Sequence, residues 1–131
     1  MICVHLKSEK GQAMVEFALV LPILLLILCG IIDFGWIFGN QLLATNASRE
    51  AARYTAIHYY DSSSDDDQAS AAGIVLTRAP TLESTVVTLN KSNDSITVSI
   101  SSDVPIITPI ISALFPDGKY PITAECTMRL E

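Results

Sequence analysis

Hydrophobic positions crowd the first third of this chain and thin into alternation at its end. From Ala13 to Gly39 the sequence is apolar apart from Glu16 near one end and Asp33 near the other, and Phe17 to Ile32 carry no charge. As a helix, Ala13–Gly39 would be about 40 Å long, enough to cross a hydrocarbon core of about 30 Å with tilt or overhang. Core helices of soluble domains seldom run this far without a polar face, so the pattern predicts a membrane anchor in the lipid bilayer. Pro22 removes one helical hydrogen bond inside it and favours a bend, which membrane helices tolerate. At its outer end, Phe34, Trp36 and Phe38 predict an interfacial aromatic belt. Gly35 and Gly39 form a Gly-x-x-x-Gly pair that would let another helix approach closely, a weak signal because such pairs arise often by chance.

The helical period continues past the apolar run. Leu43, Ala47, Ala51, Tyr54 and Ile57 fall on one face, and Asn46, Arg49 and Arg53 on an adjoining polar stripe. Glu50 and Arg53 are spaced for an i,i+3 pair. One helix is therefore expected from about Gln12 to about Tyr59, half in lipid and half out. Asp61-Ser-Ser-Ser-Asp-Asp-Asp67 breaks it. Its order lacks the central Gly and closing Glu of a calcium-binding EF-hand loop, so we read it as a solvated loop. Gln68 to Arg78 is expected to form a short helix, ended near Pro80.

From here the period becomes two. Val87 and Leu89 alternate with Val86 and Thr88, and after the polar turn Asn90–Asp94 the residues Ile96, Val98 and Ile100 alternate with Thr97, Ser99 and Ser101. That predicts a hairpin with one buried face. The last segment alternates most strictly, Ile122, Ala124, Cys126, Met128 and Leu130 against polar neighbours, which points the Cys126 thiol into the core. Between the second and third strands lies Val104–Phe115, whose prolines exclude a central strand. It reads as a loop or short helix capping the sheet, with an exposed apolar patch for a partner as the alternative. The fold class expected is α+β: a long N-terminal helix, transmembrane and then extramembrane, with a small C-terminal antiparallel sheet of about three strands. The expected divisions are 1–11, 12–39, 40–60, 61–82 and 83–131.

Composition sharpens this picture mostly by exclusion. The chain has 131 residues and a formal net charge of -6. Its length suits an anchor plus one modest domain. The acidic balance, with no basic stripe interleaved with aromatics, argues against nucleic acid. Lys7 and Lys10 precede the anchor beside a single acid, Glu9, so the positive-inside rule places the head in the cytoplasm and the acidic remainder across the membrane. Cys3, Cys29 and Cys126 make no disulfide framework, and His5 and His58 lie too far apart for a zinc site. A secretory signal peptide is a lesser alternative, since the apolar run is long for one and no Ala-x-Ala-like site follows. A lipoprotein is rejected because Leu28 precedes Cys29. No catalytic constellation, metal site or phosphate loop emerges, so neither an enzyme nor a cofactor is expected.

Gly11-Gln-Ala-Met-Val-Glu16-Phe17, Pro22, Asp33-Phe34-Gly35 and Arg49-Glu-Ala-Ala-Arg53-Tyr54 together resemble the TadE-like family, pseudopilins of the tight-adherence (Flp-type, type IVb-like) pilus system. The closing Ala124–Glu131 also resembles that family's usual end. The resemblance implies that a prepilin peptidase cuts between Gly11 and Gln12, so that residues 1–11 are a cytoplasmic leader. Gly suits such a cut because the backbone can enter a narrow site. It implies further that Glu16, fifth in the mature chain, pairs with a neighbouring subunit's new N-terminal amine, offsetting the cost of burying both charges in lipid. The partners implied are the peptidase, the major Flp-type pilin, a TadF-like pseudopilin and the inner-membrane assembly platform. Pilus assembly, adhesion and biofilm formation are the implied roles, with an uncleaved, single-pass envelope-anchored interaction domain as the alternative.

Overall fold

A computed structural model describes residues 9–60 and 64–130. The basic head with Cys3, His5 and Lys7, the start of the acidic run at 61–63 and the terminal Glu131 lie outside the described residues. The elements are α1 (Glu9–Ile57), α2 (Ser64–Arg78), β1 (Glu83–Lys91), β2 (Ser95–Pro105), a four-residue helix α3 (Pro109–Ser112), a single 3-10 turn (Pro116–Gly118) and β3 (Lys119–Arg129). The three strands form one antiparallel sheet in the order β1-β2-β3. The protein is thus α+β, a long N-terminal helix followed by a small antiparallel sheet.

α1 contains 49 residues, with Pro22 inside it, and at 1.5 Å per residue it is about 73 Å long. From Gly11 to Val20 every residue is exposed, and from Leu21 to Ile32 only Leu21, Cys29 and Gly30 are even half-shielded. The docked face begins at Asp33 and runs through Asn40, Ala44, Ala47, Ser48, Ala51, Ala52 and Thr55, all buried. This differs from the expected face. Ala47 and Ala51 belong to it, but Leu43, Tyr54 and Ile57 are exposed. Alanine, serine and threonine bring the helix backbone close to the sheet, and the larger side chains are displaced to the flanks.

Central strand β2 supplies the other side of the core through Ile96, Val98, Ile100 and Val104, joined by Ile122 and Ala124 of β3 and by Ala71 and Val75 of α2. Cys126 and Met128 pack against this cluster half-buried, as their alternation implied. β2 is longer than its pattern suggested. It includes Val104 and ends at Pro105, where the missing N–H stops the ladder. β1 carries an irregularity between Glu83 and Val86, where Ser84 takes a positive φ of 50°. Such a bulge turns a strand's end away from its neighbour.

Cover for the sheet comes from α1 and α2 rather than from the segment after β2. Two glutamines finish the edges. Gln68 of α2 donates to the Val87 carbonyl and accepts the Leu89 N–H at 3.2 Å, occupying part of the free edge of β1. Gln41 of α1 donates to the Thr123 carbonyl of β3 at 2.7 Å. Side chains placed there satisfy backbone groups that would otherwise invite another strand.

Two ionic expectations are corrected. Glu50 does not turn to Arg53; it pairs with Arg78 at the end of α2 at 2.7 Å, joining the two helices across an exposed surface. The acidic run is not wholly a solvated loop, because α2 begins at Ser64 and takes Asp65–Asp67 into its first turn. Carboxylates are favoured at a helix N-terminus, which accounts for the earlier start. Asp67 itself is buried and forms an ion pair with Lys91, whose ammonium lies 5.5 Å from the Tyr59 ring centroid. One acid of the run is thereby committed to the fold.

Candidate functional site

The peptide between Gly11 and Gln12 lies in the first turns of α1, on an exposed stretch of helix. One turn further on, Glu16 is exposed and its Oε1 accepts a hydrogen bond from Gln12 Nε2 at 3.3 Å. Helical spacing produces this contact directly, since residues four apart stand one above the other. Among the described residues Glu16 has no ion-pair partner. Phe17 follows it, also exposed, and Pro22 lies less than two turns on. Gly11, Gln12, Glu16, Phe17 and Pro22 are thus brought together on one accessible helical segment, with an unpaired carboxylate beside a continuous apolar surface. Chemically, an exposed carboxylate of this kind is able to accept a cation.

The other acid of the apolar run is in the opposite situation. Asp33 is 2% exposed, and its Oδ1 accepts the backbone N–H groups of Ile107 at 3.0 Å and Thr108 at 3.1 Å. Its Oδ2 accepts the Thr108 hydroxyl. Thr108 stands immediately before α3 and makes no capping bond with its own side chain; its hydroxyl turns to Asp33 instead. The carboxylate thus joins the helix to a loop 74 and 75 residues later in the chain. The sequence signal for it was available in principle: a carboxylate at the end of an apolar span requires a partner, and Thr108-Pro109 has the form of a helix start.

The remaining candidates are separate from this end. Gly35 and Gly39 lie on a shallow groove with Trp36, Asn40, Leu43 and Thr81, and a side-chain carbon at either glycine would meet nothing within 4 Å. The groove is open at both glycines. Phe34 and Phe38 are exposed and stack with centroids 6.4 Å apart. Trp36, expected with them in an aromatic belt, packs instead against the core, and its indole N–H is buried without an acceptor among the described residues. Asn40 is buried, bonded to the Trp36 carbonyl at 2.9 Å and to the Thr81 hydroxyl. Arg49 and Arg53 are exposed, with no ion-pair partner among the described residues.

Among the described residues, no group of three or more His, Cys, Asp or Glu is placed to hold a metal ion. His58 stacks on Tyr54 at 4.2 Å, and its Nδ1 donates to the Tyr54 carbonyl at 2.9 Å, closing the end of α1.

Among the described residues one helix is long and apolar enough to cross a membrane, with none of its most apolar window buried, which points to a single-pass membrane anchor carrying a small α+β domain. The match to known families falls on that same helix. The model of the TadE-like protein family matches residues 11–53, about a third of the chain, and so covers the segment Gly11–Phe17, the apolar span and most of the docked face. It agrees with the resemblance carried by Gly11–Phe17, Asp33–Gly35 and Arg49–Tyr54. No curated protein and no solved structure matches the chain.

Proposed function

We propose that this chain is a non-enzymatic pseudopilin, or minor pilin, acting in assembly of a tight-adherence (Flp-type) pilus. The TadE-like match ties it to that system in general terms. The observation that carries the finer reading is Glu16: an exposed carboxylate with no cation beside it among the described residues, at the start of an apolar helix and five residues after Gly11. A charge at membrane depth costs about 2.5–3.5 kcal/mol on insertion scales. A neighbouring subunit's α-amine, freed by cleavage after Gly11, would neutralise it. The peptidase would therefore act first, and the new Gln12 amine and the Glu16 carboxylate would then join successive subunits. Cleavage also removes Lys7, Glu9 and Lys10, leaving the mature chain one charge more negative.

In this reading residues 1–11 are cytoplasmic before cleavage and the sheet domain lies on the far side of the inner membrane. The partners are the major Flp-type pilin, a TadF-like pseudopilin and the assembly platform, with adhesion and biofilm formation as consequences of the pilus. The open groove at Gly35 and Gly39 supports a neighbouring helix close to α1.

The intact mass and N-terminal residue of the protein, taken from membranes with and without a co-expressed prepilin peptidase, test this directly. A mature chain beginning at Gln12, absent for Gly11→Ala, is expected. Glu16→Ala should still be cleaved and fail in assembly. A chain that keeps residues 1–11 beside a peptidase active on its own pilin sinks the proposal, leaving the uncleaved envelope anchor as the account.

A further inference from the structure

The loop between β2 and β3 is apolar, uncharged and turned outward. From Pro105 to Pro116 it contains no charged residue. Ile106 and Thr108 point inward and are buried, whereas Ile107, Ile110 and Leu114 are exposed, Leu114 at 75%. α3, in the middle of the loop, buries none of its residues. The loop is nonetheless firmly shaped. Ile106 N–H donates to the Gly118 carbonyl at 2.9 Å, closing its base, and Gly118 takes a positive φ of 63° with Ser112 Cβ 3.4 Å from where a side-chain carbon would sit. Only glycine adopts that conformation beside α3 without strain. Phe115 and Tyr120 then meet edge to face with centroids 6.0 Å apart.

The Asp33 carboxylate sets the height of this surface on α1. Ala13 to Ile32 rises about 30 Å, one hydrocarbon thickness, so Asp33 stands where the span leaves the bilayer. Through the amides of Ile107 and Thr108 the loop is held at that level. We infer that the loop Ile107–Phe115 is a lipid-facing foot, on which the head domain rests against the outer surface of the same bilayer that α1 crosses. Ile107, Ile110 and Leu114 enter the boundary between headgroups and acyl chains. Tyr120, against Phe115 at the end of the loop, offers an apolar ring and a polar tip, as side chains of membrane interfaces do. The occupant is lipid because the patch is continuous in height with the bare apolar surface of α1 and the segment bears no charge to be desolvated. This rests on reading α1 as the membrane anchor.

The test uses the full chain in vesicles of phosphatidylethanolamine and phosphatidylglycerol. A genetically encoded, environment-sensitive fluorescent residue replaces Leu114, Ile110, Leu25 or Val86 in turn, and lipids brominated near the headgroup or deeper along the chain serve as quenchers. Leu25 reports the span and Val86 the exposed face of β1, the edge strand that β2 separates from β3. Emission from positions 114 and 110 should be blue-shifted and lost chiefly to shallow bromolipids, from position 25 to deep ones, and from position 86 to neither. Quenching at 25 with none at 114 and 110 overturns the foot and leaves the anchor standing. A blue shift at 114 and 110 without quenching means that a protein covers the patch, and also overturns it. No quenching at 25 removes the anchor and the foot with it. Two foot positions are used so that failure of one variant to fold leaves the other to decide.

Discussion

Residues 11–32 and 33–57 of α1 are one continuous helix with two chemistries. The first stretch is almost bare, rich in leucine and isoleucine, and its acid, Glu16, accepts a hydrogen bond from Gln12. The second is built of alanine, serine and threonine where it is buried, and its buried acid, Asp33, has three donors. Large apolar residues mark the exposed half and small residues the packed half, the reverse of the usual rule for a soluble domain. Where lipid is the solvent, exposed leucines need no cover; where a sheet lies against the helix, small side chains allow close approach. The partner of a helix, and not hydrophobicity alone, decides what its buried face is made of.

Removing the two acids should separate the halves most sharply. Asp33→Ala leaves two amides and a hydroxyl without their acceptor and is expected to lower the stability of the head by about 2–4 kcal/mol. Hydrogen exchange should rise first in residues 106–118, while membrane association stays unchanged. Glu16→Gln should leave unfolding of the head untouched and lower only assembly. A matched loss of stability for both variants would break the distinction between the halves. The next effect concerns volume. Ala47→Leu should cost about 1–3 kcal/mol in denaturant unfolding, since Ala47 is fully buried against the sheet. Leu25→Ala should leave that transition where it is.

The smallest effect lies on the sheet, away from α1. Lys119 Nζ stands 2.8 Å from Glu83 Oε2, and this hydrogen bond and the glutamate's charge raise the lysine pKa above its usual 10.5. Because the folded-state value is the higher one, the pair's contribution is complete below pH 10.5 and fades as pH rises through the raised value. Thermal unfolding of Lys119→Met should lack that alkaline decline, while the wild type shows a slight one.

Elements with a strong period were legible in the chain: the long helix from its uninterrupted apolar run, the hairpin and last strand from strict alternation. The face of α1 was not. Leu43, Tyr54 and Ile57 have the right spacing and the larger area to bury, but the sheet packs too closely for them and selects Ala44, Ala47 and Ala51 instead. Pairings across long separations were equally hidden, because Asp67 with Lys91, Glu50 with Arg78 and Asp33 with Thr108 depend on a docking that no local pattern encodes. Of the candidate site, the segment Gly11–Pro22 was readable from its order of residues. Asp33 was noticed for its place in the span, while its role as a tether needed the fold.

Because α1 passes from the apolar span into the head without a break, the head has no swivel. Each residue of helix carries about 100° of rotation and 1.5 Å of rise. One residue added between Leu25 and Ile32 would therefore turn the whole sheet by more than a quarter revolution about the anchor and lift it by less than the width of an atom. The span's length in residues works as an angular setting, fixing which side of the head a neighbour in the membrane meets.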